Sequence, residues 1–138
     1  MSALPPALDA ERFEIDTLAG RVSAYRAWPA SGAANLPPVL LVHSVNASGS
    51  AAEVVPMFEH CRKRRAVYAL DLPGFGFSER SDRVYTPRLM TDAIHALLAH
   101  MRAAQGVDAI DVLGVSLASE FVVRAQQEAP HTVRRVAL

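Results

Sequence analysis

A serine flanked by two small residues is the feature of this sequence with the clearest chemical meaning. The run Gly114-Val115-Ser116-Leu117-Ala118 follows a β-rich stretch and precedes a helical pattern. This layout is typical of a nucleophile elbow, a sharp strand-to-helix turn that exposes the serine hydroxyl. The residues two before and two after the serine must be small, because the backbone crowds itself in that turn. We therefore predict that Ser116 is a nucleophile, with Ala118 at a position where glycine is more usual.

The groups that would activate this serine are not recognisable in the sequence. A serine nucleophile needs a general base, usually a histidine, which is oriented by a carboxylate. The residues after Ser116 include Glu120, Glu128 and His131 and no aspartate. Both glutamates fall on the helix that follows the elbow, and His131 falls between that helix and the last apolar run. We expect the catalytic acid and the histidine to lie beyond Leu138.

Apolar patterns predict the elements that position Ser116, in one partial domain over residues 1–138. A β-hairpin is predicted over 13–28, with strands at 13–18 and 21–28 and Ala19-Gly20 as its turn. Three α/β units are predicted over 38–138, with buried strands at Val39–Val42, 66–70, 109–113 and 133–138 and helices at 54–61, Pro87–Gln105 and 117–129. This alternation predicts an α/β fold with a mostly parallel sheet and flanking helices.

The sequence suggests two alternative positions for the start of the first helix. Ser50 and Glu53 match a capping box, whereas Pro56 fits best within the first turn of a helix. Cys61 lies on the apolar stripe of that helix, so we expect a buried side chain. As the single cysteine, it excludes an internal disulfide.

Three polar or glycine-containing loops follow three predicted strand ends. They are His43-Ser44-Val45-Asn46, the loop Asp71-Leu-Pro-Gly-Phe-Gly-Phe-Ser, and the turn at Ser116. The carboxyl ends of parallel strands meet at one edge of a sheet, where open α/β folds bind their ligands. We therefore expect the three loops to form one site.

In type, order and spacing, these loops and the helix from Pro87 resemble the N-terminal half of an α/β-hydrolase-fold protein, across residues 10–138. The resemblance implies that Ser116 is the nucleophile and that the backbone N–H groups of Val45 and Leu117 form the oxyanion hole. It implies a serine hydrolase acting on an ester or a related acyl substrate. A serine rather than an aspartate at the elbow disfavours the dehalogenase and epoxide-hydrolase branches. The family's catalytic acid, histidine and cap lie beyond Leu138.

The loop after the first buried strand departs from the family pattern. Ser44 stands where the family usually has glycine, which leaves the position of the Val45 N–H open. Asn46 either adds a side-chain donor to the site or serves only to shape the turn. We expect His43 to be a structural, hydrogen-bonded histidine and Asp71 to hold its own loop through backbone N–H groups. Phe75 and Phe77, in the second loop, line a pocket or pack beneath the loop.

Composition excludes several function classes. The chain has 14 basic and 14 acidic residues and no net charge, which argues against a nucleic-acid partner. No stretch approaches the ~20 apolar residues of a membrane span, and no signal peptide is visible, so we expect a soluble cytoplasmic protein. Gly74-Phe75-Gly76 lacks the third glycine of a dinucleotide site, and no cluster has the spacing of metal ligands. We predict a small-molecule acyl substrate and no cofactor.

The last predicted strand leads to an expectation about association and to an alternative function. It should lie beside the strand that enters the elbow, with Val133, Val136 and Leu138 uncovered. We expect that the chain is truncated and self-associates through this unpaired strand. The alternative function is a catalytically inactive, truncated or degenerate fragment with a binding or interaction role only. An aspartate and a histidine encoded in frame after Leu138 would favour the enzyme.

Overall fold

Six strands and three helices follow one another along the chain. The computed structural model describes residues 5–32 and 36–138. The strands are β1 (Glu11–Thr17), β2 (Gly20–Ala27), β3 (Val39–Val42), β4 (Val67–Leu70), β5 (Ile110–Gly114) and β6 (Val133–Ala137). The helices are α1 (Val55–Cys61), α2 (Pro87–Gln105) and α3 (Ala118–Glu128), and short 3₁₀ helices at Ala51–Val54 and Pro130–Thr132 precede α1 and β6.

The strands form one mixed sheet in the order β1-β2-β4-β3-β5-β6. β3 is parallel to β4 and β5, and β5 is parallel to β6. β2 runs antiparallel to both β1 and β4. The predicted architecture is confirmed, including the placement of the last strand beside the strand that enters the elbow.

The two faces of the sheet are covered by different helices. Leu40 and Val42 of β3 face a core that includes buried residues of α2 and α3. Leu41, on the opposite face, belongs to a second core together with Phe58 of α1. β3 is therefore buried on both faces, which explains its continuous apolar run. Within residues 5–32 and 36–138, no helix combines the length and the apolar content needed to cross a membrane.

Helix α1 uses both start sites suggested by the sequence, one after the other. The Ser50 hydroxyl accepts a hydrogen bond from the Ala52 N–H (3.1 Å) and begins the 3₁₀ helix. Pro56 lies in the first turn of α1, where a missing N–H costs nothing. The capping box itself is not formed, since the Glu53 carboxylate turns to the loop after β3. Cys61 is half-buried rather than fully buried, and this burial raises the pKa of its thiol.

The hairpin turn lies one residue earlier than predicted. Leu18 and Ala19 form the turn, and Thr17 pairs with Gly20 across it. The Thr17 hydroxyl donates to the Gly20 carbonyl (2.8 Å) and accepts from the Ala19 N–H (2.9 Å). Gly20, at the start of β2, has a φ of +98°. Glycine adopts this backbone conformation without the steric cost that a side chain would bring, so the turn can close directly onto the strand.

The predicted exposure of Val133, Val136 and Leu138 on the last strand is wrong for Val133 and confirmed for the other two. Val133 is buried, whereas Val136 is 37% and Leu138 70% exposed. A partly buried ion cluster anchors the start of β6, because the buried Asp111 of β5 accepts hydrogen bonds from both Arg134 (2.8 and 2.9 Å) and Arg65 (3.1 Å). Across the described part of the chain, β6 pairs with β5 alone and its other edge is free.

We predict that this free edge pairs with a second copy when the 138-residue chain is prepared alone. The mass measured by sedimentation should rise with protein concentration, and Val136→Lys should shift it toward the monomer. Val84→Lys is the matched control, because Val84 is 80% exposed on the loop before α2. A wild-type chain that stays monomeric throughout would contradict the prediction, as would equal effects of the two lysines.

Candidate active site

Ser116 lies on a tight turn between β5 and α3. Its φ of +55° is the only positive value for a non-glycine residue in the part of the chain that the structure describes. The turn is closed by hydrogen bonds from the Ala118 N–H to the Val115 carbonyl (3.1 Å) and from the Ser119 N–H to the Ser116 carbonyl (2.9 Å). Ser116 is exposed at the carboxyl end of the sheet. This is the strand-to-helix geometry expected of a nucleophile elbow.

Close packing inside the turn explains the small residues around Ser116. A Cβ atom at Gly114 would lie 3.0 Å from Val122 Cγ2 and 3.3 Å from the Ala118 carbonyl oxygen. Ala118 is fully buried at the start of α3. A methyl group is therefore accommodated two residues after the serine, whereas a methyl group two residues before it would force Val122 or the Ala118 backbone to shift by a few tenths of an ångström.

Two unused backbone donors lie on neighbouring loops beside the serine. Val42 is opposite Gly114 in the parallel register, and the Val115 N–H donates to the Val42 carbonyl (3.0 Å). The loop that carries Val45 therefore starts next to the elbow. The N–H groups of Val45 and Leu117 donate to no acceptor among the described residues. Both remain available to a negatively charged ligand oxygen, as an oxyanion hole requires.

The loop that carries Val45 is tied to Glu53. The Ser44 N–H donates to Glu53 Oε1 and the Ser44 hydroxyl to Glu53 Oε2, each at 2.8 Å. Asn46 Nδ2 donates to the Ser44 hydroxyl (2.8 Å) and to Glu53 Oε2 (3.1 Å), while Asn46 Oδ1 accepts from the Ser48 N–H (3.0 Å). The Asn46 side chain thus shapes its own loop. The hydrogen bonds from Ser44, and then that from Asn46, lower the pKa of Glu53.

This role of Glu53 was not predicted from the sequence. Its spacing from Ser50 also matches a capping box, and that local pattern hid the contact with Ser44. Ser44 itself could have indicated the contact. It follows a buried strand, and its N–H and hydroxyl need hydrogen-bond acceptors when they are buried there.

His43 is structural, as the sequence analysis expected. Its side chain is fully buried at the end of β3. Nε2 accepts a hydrogen bond from the Leu72 N–H (3.0 Å), so Nδ1 carries the proton and donates to the Ser44 carbonyl (2.7 Å). Burial lowers the pKa of His43, which keeps the ring neutral. Both nitrogens are occupied, so this histidine is not a base for Ser116.

Asp71 holds two loops together from a fully buried position. Oδ1 accepts from the Ala51 N–H (2.9 Å) and Oδ2 from the Phe77 N–H (3.1 Å). The close approach depends on Gly76, where a Cβ atom would lie 2.2 Å from Asp71 Cγ. The prediction that Asp71 holds its own loop is confirmed, and the carboxylate also binds the start of the 3₁₀ helix after β3.

A cavity of about 660 Å³ opens between the loops that follow β3 and β4. Val45, Phe75 and Phe77 are among its lining residues, and Ser116 is not. Phe75 also packs edge-on against the His43 ring, with centroids 5.4 Å apart. The two alternatives predicted for these phenylalanines are therefore compatible, since Phe75 both lines the cavity and packs against a buried side chain beneath its loop.

His131 and Glu128 lie at the far end of α3 from Ser116. The eleven residues of α3 span about 16 Å, which separates His131 from the elbow. Glu128, at the same distant end, binds Arg88 (2.7 and 2.8 Å) and His95 (2.8 Å), which lower its pKa to about 2. No group of three metal-ligating side chains occurs in residues 5–32 and 36–138.

Comparison with known families and structures agrees with this geometry. Residues 37–138 match the family model of the alpha/beta hydrolase fold. The chain belongs to the α/β-hydrolase fold family. No curated protein matches its sequence.

Solved α/β-hydrolase-like structures superpose on nearly the whole chain. An α/β serine hydrolase without a lid from Xanthomonas campestris is 19% identical, with a TM-score of 0.73 over 94% of this chain and 61% of that one. N-Formylmaleamic acid deformylase from Pseudomonas putida is 21% identical, with a TM-score of 0.72 over 91% and 45%. An epoxide hydrolase from an endophytic Streptomyces is 20% identical, with a TM-score of 0.73 over 92% and 36%. The chain therefore spans less than two thirds of the length of each structure.

The crowding within the elbow leads to a stability prediction. Ala118→Leu should lower the free energy of unfolding by about 1–3 kcal/mol in urea titrations, because a branched side chain has no space at the start of α3. Ala118→Gly should cost no more than about 1 kcal/mol. Gln127→Leu, on the exposed face of α3, is the matched control and should be near neutral. Equal stability of the two leucine variants would show that the turn is not crowded.

Proposed function

We propose that this chain supplies the nucleophile and the oxyanion hole of a serine hydrolase that acts on an ester or a related acyl substrate. The observation that carries the proposal is the exposed Ser116 on its left-handed turn, beside two backbone N–H groups that have no acceptor among residues 5–32 and 36–138. In the proposed enzyme the catalytic acid and the histidine come from residues after Leu138.

The reaction would proceed through an acyl-enzyme. Ser116 Oγ attacks the substrate carbonyl carbon while the histidine takes its proton, and the carbonyl oxygen becomes an oxyanion. The N–H groups of Val45 and Leu117 hold that oxyanion, and a single such donor is worth about 10²–10³ in rate. Collapse expels the alcohol or amine, which receives the proton from the histidine. Water then attacks the acyl group, releases the acid and restores the serine.

The relatives support hydrolysis and do not select a substrate. Their printed names describe a serine hydrolase, a deformylase and an epoxide hydrolase. The serine at position 116 favours acyl chemistry, since the epoxide-hydrolase branch uses a carboxylate at the elbow. The alternative is a fragment with a binding role only. It is favoured by one observation: neither His43, whose ring nitrogens are both hydrogen-bonded, nor His131, beyond the far end of α3, is placed to activate Ser116.

Covalent labelling tests the nucleophile. A fluorophosphonate probe should label the complete protein at Ser116, since the hydroxyl is exposed and activated there. Ser116→Ala should abolish the label seen by mass spectrometry. Ser81→Ala is the control and should be labelled like the wild type, because the exposed Ser81 hydroxyl donates to Glu79 on the surface. Labelling that survives in Ser116→Ala would refute the assignment.

The role of residues after Leu138 is tested with the 138-residue chain alone. Without a general base, this chain should hydrolyse p-nitrophenyl acetate at neutral pH no faster than its own Ser116→Ala variant. Steady turnover that depends on Ser116 would contradict the proposal, because it would require a base within the chain.

A further inference from the structure

The loop that positions Val45 has an anchor on each side of that residue, and both anchors use one carboxylate. Ser44 precedes Val45 and donates its N–H and its hydroxyl to Glu53. Asn46 follows Val45 and donates its side-chain amide to the same Glu53 and to Ser44. Val45 itself is the residue between the anchors, and its own N–H is unused among the residues described. The direction of that N–H is thus set by its two neighbours together with His43, whose Nδ1 donates to the Ser44 carbonyl at the other end of the same peptide group (2.7 Å).

Physical considerations make Glu53 the central member of this group. Ser44 is only 8% exposed, so its N–H needs a protein acceptor. Hydrogen bonds to an ionised carboxylate are about twice as strong as those between neutral groups. Glu53 sits on the 3₁₀ helix before α1, and the Ala51 N–H in that helix is bonded to the buried Asp71. The Glu53 carboxylate therefore ties the loop that carries Val45 to a 3₁₀ helix whose own position is fixed by Asp71.

We infer that Glu53 is a positioning residue for the hydrolysis proposed above, because it fixes the peptide of Val45 so that its N–H points to the substrate oxyanion. The inference rests on the proposed function. The contact with Glu53 also explains why Ser44 is tolerated where the family usually has glycine. The Ser44 side chain restricts the backbone, but its hydroxyl binds Glu53 and so helps to hold the loop in place.

The negative charge of Glu53 does not oppose this role. Its oxygens accept three donors from Ser44 and Asn46, whose dipoles point their positive ends at the carboxylate. Glu53 is also exposed to solvent. Water therefore screens its charge from an oxyanion, while the short hydrogen bonds keep their directional effect.

The decisive experiment compares Glu53→Gln with wild type in the complete protein. The glutamine keeps the shape but replaces one acceptor oxygen with an NH₂ group, so it cannot accept from both Ser44 donors. We expect kcat to fall on the order of 10- to 100-fold, as for a misplaced catalytic group, with KM changed less than about threefold. Glu59→Gln, on α1 with an exposed partner at Arg62, is the matched control and should leave both constants unchanged.

A transition-state mimic separates positioning from folding. A boronic acid forms an anionic tetrahedral adduct on a serine, so its affinity reports on the oxyanion hole. Glu53→Gln should weaken it by the same factor by which kcat/KM falls, and thermal melting should show a folded variant. Ser44→Ala, which keeps the N–H donor and loses only the hydroxyl, should give a smaller loss of kcat and of boronate affinity.

The outcomes distinguish the two proposals. If Ser116 is labelled and Glu53→Gln is folded with wild-type kcat and boronate affinity, the positioning role is wrong and the nucleophile stands. If Glu53→Gln does not fold, wild-type kinetics in Ser44→Ala would overturn the positioning role instead. If Ser116→Ala keeps its label, the proposed function itself fails.

Discussion

The parallel pairing of β3 with both β4 and β5 is the constraint on which the site depends. Val42, the last residue of β3, lies opposite Leu70 of β4 and Gly114 of β5. Three strands therefore end at one level, and the loops that carry Val45, Phe75 and Ser116 leave the sheet side by side. A slip of one residue between β3 and β5 would move Ser116 by about 3.3 Å and turn alternate side chains to the wrong core.

Buried polar groups extend this alignment into the loops. His43 joins the loop after β3 to the one after β4 through the Leu72 N–H, and Asp71 joins the latter to the 3₁₀ helix through the Ala51 N–H. Each group is satisfied at both of its polar atoms, so neither carries the cost of a lone buried donor or acceptor. The loops of the site are thus held by side chains that take no part in the proposed chemistry.

Local pattern was sufficient for most of the fold. Continuous apolar runs predicted β3 and β4, and Thr86, Pro87 and Gly106 marked the ends of α2, where Thr86 caps the first turn and Gly106 takes a φ of +63°. The elbow could be predicted because a steric requirement fixes the residue types around Ser116. The oxyanion donors proposed at Val45 and Leu117 came from the family resemblance, since a backbone N–H carries no residue signature.

Features that depend on tertiary contact were predicted less well. The hairpin turn moved by one residue because the Thr17 side chain closes it. Val133 was expected to lie uncovered, yet it is buried, because it belongs to the core that includes residues of α2 and α3. The contact between Glu53 and Ser44 joins residues nine apart in the sequence through the Glu53 side chain. The pattern of Ser50 and Glu53 also fits a helix capping box, which is the more local interpretation.

The left-handed backbone at Ser116 has a consequence for how this sequence can drift. A left-handed conformation costs a residue other than glycine about 1–2 kcal/mol, so glycine at position 116 would relieve a penalty that serine pays. Random substitution in a lineage that no longer needs the hydroxyl would therefore move toward glycine, with a gain in stability. Serine at position 116 therefore carries a backbone cost that glycine would avoid, and the role proposed above for its hydroxyl gives a physical reason for that cost.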